Sequence, residues 1–194
     1  MATSVDFTTE VQKLYVAYFS RPGDPTGVAF WVDKLQNNLV AYQDISAEFS
    51  TSAEYKAMYG GKGNAAVVAE VYDNLFGRAP VGGEDAFWIN ALNNGATDVD
   101  NVVTAIAAGS QGTDRTTYNG KVDIAVLFTQ HIDTQAEKDA YTGAAANQIA
   151  IDYLAGAKNL TTIAMHRDPG NIDATIARIV GTPSSMDVDH IAVM

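Results

Sequence analysis

The residues able to do chemistry here are mostly carboxylates. Aspartate and glutamate number 23, against 12 lysines and arginines. Several sit in close pairs: Glu84 with Asp85, Asp98 with Asp100, Asp168 with Asp173, and Asp187 with Asp189. Ca2+ takes about six to eight oxygen ligands, so such pairs are candidate contributors, and Glu84, Asp85, Asp98 and Asp100 are the candidate metal ligands. None fits an EF-hand loop or a glycine-rich calcium repeat, and helix N-caps and first-turn acids explain most of them. The candidate ligand-binding residues are Arg21 and Arg78. Each follows an aromatic helix, and two roles are open to it. The guanidinium either donates to last-turn carbonyls or a neighbouring acid, with its stem on the aromatics, or it contacts a sugar or phosphate.

Catalytic patterns are missing, and no catalytic residue is assigned. The chain has no cysteine, so a thiol nucleophile and a thiolate metal site are excluded. His131, His166 and His190 show no zinc spacing. His131 and His166 read as helix-end residues, the second favouring the negative end of a helix dipole. There is no Gly-x-Ser-x-Gly elbow and no Gly-x-Gly-x-x-Gly fingerprint. The stretch "GGKGN" (60–64) lacks the first glycine and the Ser/Thr of a phosphate loop, and reads as a turn. No two carboxylates are marked out as a glycosidase pair. Trp31 and Trp88 could stack on sugars, but their helical spacing to Leu35 and Leu92 places them in a core.

The elements that must position these groups are helical. Val11, Leu14, Tyr15, Tyr18 and Phe19 recur at three- and four-residue steps. The helix stops at "SRPGDP", where Asp24 reads as an N-cap and Pro25 as the first helical residue of the next. That second helix should bury Val28, Trp31, Val32 and Leu35. Thr51 with Glu54, and Thr134 with Glu137, have capping-box spacing. The pattern then repeats. Tyr15, Phe19, Arg21, Phe30-Trp31, Leu35 and Phe49 return as Tyr72, Phe76, Arg78, Phe87-Trp88, Leu92 and Ile106, each 57 residues on (72 − 15). A gapless duplication predicts stacked units sharing a core. In the second unit Ala79-Pro80-Val81-Gly82 replaces Pro22-Gly23-Asp24-Pro25, so the turn itself is not a paired catalytic site. The expectation is an all-α fold of about 8–10 helices: unit 1 over 1–60, unit 2 over 61–118, a C-terminal helical extension over 119–181 packing on them as one domain, and a linker or truncated tail over 182–194.

A net charge of −11 and a pI near 4.4 oppose nucleic-acid phosphates, so no nucleic-acid partner is expected. No apolar run is long enough for a transmembrane segment. The N-terminus does not read as a cleavable secretory signal.

"VQKLYVAYFSRPGDPTGVAFWVDKLQ" followed by "ISAEFSTSAEYKAMYG" resembles a helical module of bacterial surface and calcium-repeat (RTX) proteins, catalogued as a domain of unknown function. The residues that carry the likeness are Leu14-Tyr15, Phe19, Arg21, Asp24-Pro25, Gly27, Phe30-Trp31, Phe49, Ser52, Glu54 and Tyr55. The second unit matches more loosely, without the Asp-Pro and the Gly. The pattern is also similar to phycobilisome linker domains, with nothing pointing to pigment. The likeness extends to the N-terminal domain of RsaA-like, type-I-secreted S-layer proteins of Gram-negative bacteria. It implies a secreted structural protein on the extracellular cell surface, non-catalytic and anchored by binding lipopolysaccharide O-antigen. It also implies calcium as a possible cofactor, no organic cofactor, and contact with other S-layer subunits through a downstream region. The alternative is a protein-interaction or assembly module of a secreted adhesin or RTX protein.

Overall fold

The computed structural model describes residues 6–182, except the side chain of Asp100. Within them lie twelve α-helices and no strand. They are α1 (Phe7–Phe19), α2 (Pro25–Gln36), α3 (Tyr42–Thr51), α4 (Ala53–Tyr59), α5 (Asn64–Phe76), α6 (Glu84–Asn93), α7 (Val99–Gly109), α8 (Gly112–His131), α9 (Gln135–Ala140), α10 (Gly143–Ala155), α11 (Leu160–His166) and α12 (Pro169–Val180). The fold is all-α, as the periodicity implies. No helix among the described residues is long and apolar enough to cross a membrane.

The duplication is structural. α1 and α5 are both 13 residues long and start 57 apart (64 − 7); α3 and α7 start at Tyr42 and Val99, again 57 apart. Both first helices end on a left-handed residue, Ser20 at φ 55° and Gly77 at φ 68°. That conformation lets the cap N–H reach the last turn: Ser20 N donates to Val16 O, and Gly77 N to Asp73 O. The fourth helix of unit 2 is the first part of α8, which then runs on into the extension.

The main core gathers α1 to α8 around Val11, Leu14, Tyr18, Ile45, Leu75 and Ile124, all inaccessible to solvent. In unit 1 it is aromatic: Phe49 meets Tyr15 at 4.9 Å, Phe19 at 4.7 Å and Trp31 at 5.9 Å between ring centroids. Unit 2 has Ile106 where unit 1 has Phe49, and its aromatic cluster is smaller. A second cluster joins the end of α8 (Phe128) to α10 (Ala146, Ala150) and α12 (Ile172, Ile176, Ile179). α8 therefore belongs to both cores, with Tyr153 bordering each.

Several sequence expectations need correction. The helices number twelve rather than 8–10, for two reasons. The stretch 134–157 is two helices, because Thr142 is extended (φ −139°, ψ 150°) and Gly143 has φ 78°. α11, the helix that His166 closes, is a separate element whose start the periodicity does not mark: it begins on Asn159, whose side chain accepts from Thr161 N and Thr162 N at 3.0 Å. The first capping position is Ser52, not Thr51: its Oγ accepts from Tyr55 N at 3.1 Å, while Thr51 closes α3. The box of Thr134 and Glu137 forms as expected, as do the Asp24 cap and Pro25 at the helix start. Val28 and Leu35 are buried, whereas Trp31 and Val32 lie at the core edge. The tail with His190, Asp187 and Asp189 lies outside the described residues.

Candidate functional site

The Arg-Pro-Gly-Asp-Pro turn is where three elements meet. Arg21 is 7% exposed. Its Nε and Nη2 donate to Glu54 at 2.6 and 2.8 Å, and Nη1 donates to the Pro22 carbonyl at 3.0 Å. The guanidinium also lies over Tyr15, Phe19 and Tyr141, at 5.4–5.7 Å from their centroids. The turn's own backbone is taken up as well. Gln12 Oε1 accepts from Gly23 N at 2.9 Å, Thr129 donates to Gly23 O at 2.6 Å, and Tyr141 donates to Pro22 O at 2.6 Å. Gln12 Nε2 in turn donates to Thr129 Oγ1 at 2.7 Å. A buried loop needs every backbone group satisfied, and here the partners come from α1, α8 and the end of α9. Of the two roles open to Arg21, the geometry shows the ion pair with a neighbouring acid and the aromatic packing.

Two glycines of the motif have steric reasons. A Cβ on Gly23 would sit 2.6 Å from Tyr15 Cδ2, and one on Gly27 would collide with the Tyr15 hydroxyl and approach Asp24 Oδ2 to 2.8 Å. Unit 2 solves the same turn differently. Glu84, at the position of Gly27 (27 + 57), accepts from Arg78 at 2.7 and 3.0 Å and from Val81 N at 3.0 Å. Asp114 accepts from the same guanidinium at 2.9 and 2.5 Å. Hydrogen bonds from Arg78, then from Val81 N–H, hold Glu84 below the usual carboxylate range. Arg78 keeps about a third of its side chain exposed, 32%.

Among the described side chains, the candidate metal ligands form no group of three. Glu84 is committed to Arg78, and Asp98 is the N-cap of α7, accepting from Asn101 N and Nδ2 at 2.8 Å. Asp85 stands in the first turn of α6, and the Asp100 side chain lies outside the described residues. No group of three or more His, Asp or Glu able to hold a metal occurs among the described residues. His131 Nδ1 lies 2.7 Å from Asp173, and His166 Nδ1 lies 2.7 Å from the Thr162 carbonyl; both close their helices. In "GGKGN", Lys62 pairs with Glu70.

Two open grooves of about 600 Å3 lie near the residues described above. One, about 630 Å3, runs past the unit 1 turn between Asp24, Thr26, Gln135, Asp139 and Asn147, with Arg21 in its wall. Much of its polar lining is already committed: Gln135 to Asp139, Asn147 to Glu54, and Asp24 to Gly27 N. The other, about 600 Å3, lies between the units, walled by α1, α3, α7 and α8. Among the described residues, no hydrogen bond engages the exposed amides of Gln43 and Asn119 or the half-buried Tyr42 hydroxyl. Arg115 gives Nε and Nη2 to the carbonyls of Ser110 and Ala108, leaving its other edge open. Burial, then the charge of Glu10, pushes the Tyr42 phenol up, so it stays a neutral donor. Sequence reasoning missed Tyr42, Gln43 and Asn119. Each is an ordinary helix-surface residue, and only tertiary packing brings them to one groove.

Outside the turn, the two units expose the same aromatic. Phe30 and Phe87 are 51% and 68% exposed, each edge-on to its neighbouring tryptophan.

Comparison with known families gives one match, made twice. The family described as "Domain of unknown function (DUF4214)" matches residues 2–59 and again 46–112. No curated protein and no solved structure matches.

Proposed function

We propose, from the premise that this chain belongs to the DUF4214 family, that it is a non-catalytic anchor for a bacterial surface protein. Its ligand in this reading is the O-antigen polysaccharide of lipopolysaccharide, and the parent protein is a secreted S-layer protein on the outer membrane. The carrying observation is the groove between the units, with uncommitted groups on Tyr42, Gln43, Asn119 and Arg115. Sugars present alternating hydroxyl donors and acceptors. Amides and phenols match both, and a half-buried ring offers an apolar face. The acidic field of the chain, −11 overall, makes divalent cations helpful in bringing it to an anionic surface.

The test is to add the isolated domain to cells with and without O-antigen. Binding to the first alone is the expected result, with Tyr42→Ala and Asn119→Ala weakening it at least tenfold. Equal binding to both kinds of cell would exclude the anchor reading.

A second reading, an assembly module of an adhesin or RTX protein, draws support from Phe30, Phe87 and Val81, which are all more than half exposed. Exposed aromatics are enriched at protein interfaces. Under that reading, Phe30→Ser and Phe87→Ser abolish self-association or capture by neighbouring subunits and leave polysaccharide binding intact.

A further inference from the structure

We propose that Asn94 is a site of spontaneous covalent modification, converted through a cyclic imide with Gly95 to aspartate and isoaspartate, and that the fold directs this chemistry to one of its two Asn-Gly pairs. The pairs are Asn94-Gly95 and Asn119-Gly120. Asparagine is a thermolabile side chain, and a following glycine has no side chain to shield its nitrogen.

The two pairs sit in opposite settings. Asn94 caps the C-terminal end of α6, and both it and Gly95 are exposed. Among the described residues, the Gly95 N–H and Asn94 Nδ2 make no hydrogen bond. The Ala96 N–H donates to Asn94 Oδ1 at 3.0 Å, which draws electrons from Cγ, the atom to be attacked. Asn94 rests at ψ 1°, so the peptide must turn about that bond to bring the nitrogen to Cγ. Gly95, at φ 74°, has open space around it, and α6 has no fully buried residue to hold its last turn. Helix ends of this kind open at little cost. Asn119-Gly120 lies inside α8. There the glycine N–H belongs to the helical ladder, and a Cβ on Gly120 would stand 2.6 Å from Ile163 Cδ1, so the backbone is packed as well as bonded. Unit 1 has no counterpart. At the same offset stand Asn37 and Asn38 (94 − 57 and 95 − 57). The Asn38 N–H donates to Leu35 O at 3.1 Å, and Asn37 Nδ2 donates to Asp33 O and Oδ1 at 2.9 and 3.0 Å.

The reaction balances with water alone. The Gly95 nitrogen gives its proton to hydroxide and bonds to Asn94 Cγ. The Cγ–Nδ2 bond breaks, and the nitrogen takes up a proton and leaves as ammonia. Water then opens the imide: cleavage at Cγ leaves aspartate, and cleavage at the α-carbonyl leaves isoaspartate, with the chain running through Cγ. Either product adds a negative charge at the C-terminal end of α6, the negative end of its dipole.

The test incubates the full chain, folded and in guanidinium chloride, at mildly alkaline pH, and follows the peptides containing each pair by mass and by separation of the two isomers. In the folded chain, Asn94 should convert at least tenfold faster than Asn119. In denaturant, where both backbones are free, the two rates should converge. A folded-chain rate at Asn94 no greater than that at Asn119 overturns the inference, and so does an Asn94 that stays intact in the folded chain while the denatured chain reacts.

Discussion

At the scale of single residues, the two motif arginines differ in what they stabilise. Arg21 is enclosed and has one carboxylate, Glu54, held on both oxygens. Removing that partner strands a charge in a low-dielectric site. Glu54→Ala should therefore cost about 3–5 kcal/mol in urea unfolding. Arg78 is a third exposed and has two carboxylates, so Asp114→Ala leaves it paired and hydrated, at a cost of about 1 kcal/mol. Equal costs at the two sites would refute the distinction. Gly27 is a different case, one of space rather than charge. Gly27→Ala drives a methyl into the Tyr15 hydroxyl and should cost about 1–3 kcal/mol. Tyr15→Phe removes one of the two obstacles and leaves the Asp24 carboxylate, so the double variant should recover part of the loss in a double-mutant cycle. Lys121 gives a pH signature. Its folded pKa, about 8, lies below the 10.5 of an ordinary lysine, because burial outweighs Asp73, with Lys158 adding to the shift. The unfolded chain then binds more protons between those values, so this group's contribution to stability rises with pH across that window and is lost as pH falls through 8. The difference in unfolding free energy between the native chain and Lys121→Met should move in the native chain's favour from pH 8 to 10. A flat difference would contradict the burial argument.

At the scale of elements, what was legible followed from local rules. The 3.6-residue stripe of α1, the Asp24-Pro25 start of α2 and the Thr134–Glu137 cap of α9 each depend on residues within a turn of one another. The 57-residue offset was equally plain, because paired aromatics recur without a gap. What the sequence hid was non-local. Glu54 spelled a capping box with Thr51, yet it lies beside Arg21, 33 residues earlier, and that buried charge claims it. α11 showed only its end, at His166, because seven residues are too few for a periodic signal, although Asn159 marks its start. The docking of the extension is also non-local: Tyr141 donates to Pro22 O across 119 residues and Thr129 to Gly23 O across 106. Tyr141→Phe deletes one bond to a buried carbonyl and should cost about 1–2 kcal/mol. Its more specific effect is on cooperativity. Amide exchange in α9, α10 and α12 should quicken while α1 and α5 stay protected. Uniform quickening across all twelve helices would mean that the extension is not a separable layer.

At the scale of the whole molecule, charge governs how the proposed anchor meets its surface. The net charge is −11, and among the described residues no cluster is built to hold a metal. Any cation effect from that charge should then be screening and not coordination. Screening depends on ionic strength and valence, with a Debye length of about 8 Å at physiological salt, and it distinguishes poorly between Ca2+ and Mg2+. Coordination would distinguish them sharply, because Ca2+ accepts a flexible shell of oxygens while Mg2+ demands near-octahedral geometry. Binding of the isolated domain to purified smooth lipopolysaccharide should therefore strengthen with either divalent ion to within about twofold, and with sodium at higher concentration. Chelation at physiological salt should weaken it only modestly. A strict requirement for Ca2+ that Mg2+ cannot meet would refute screening and locate a calcium site, formed with the ligand or with residues outside those described. No cation response at all would mean that the groove meets neutral sugar alone, and that the acidic faces stand clear of the membrane.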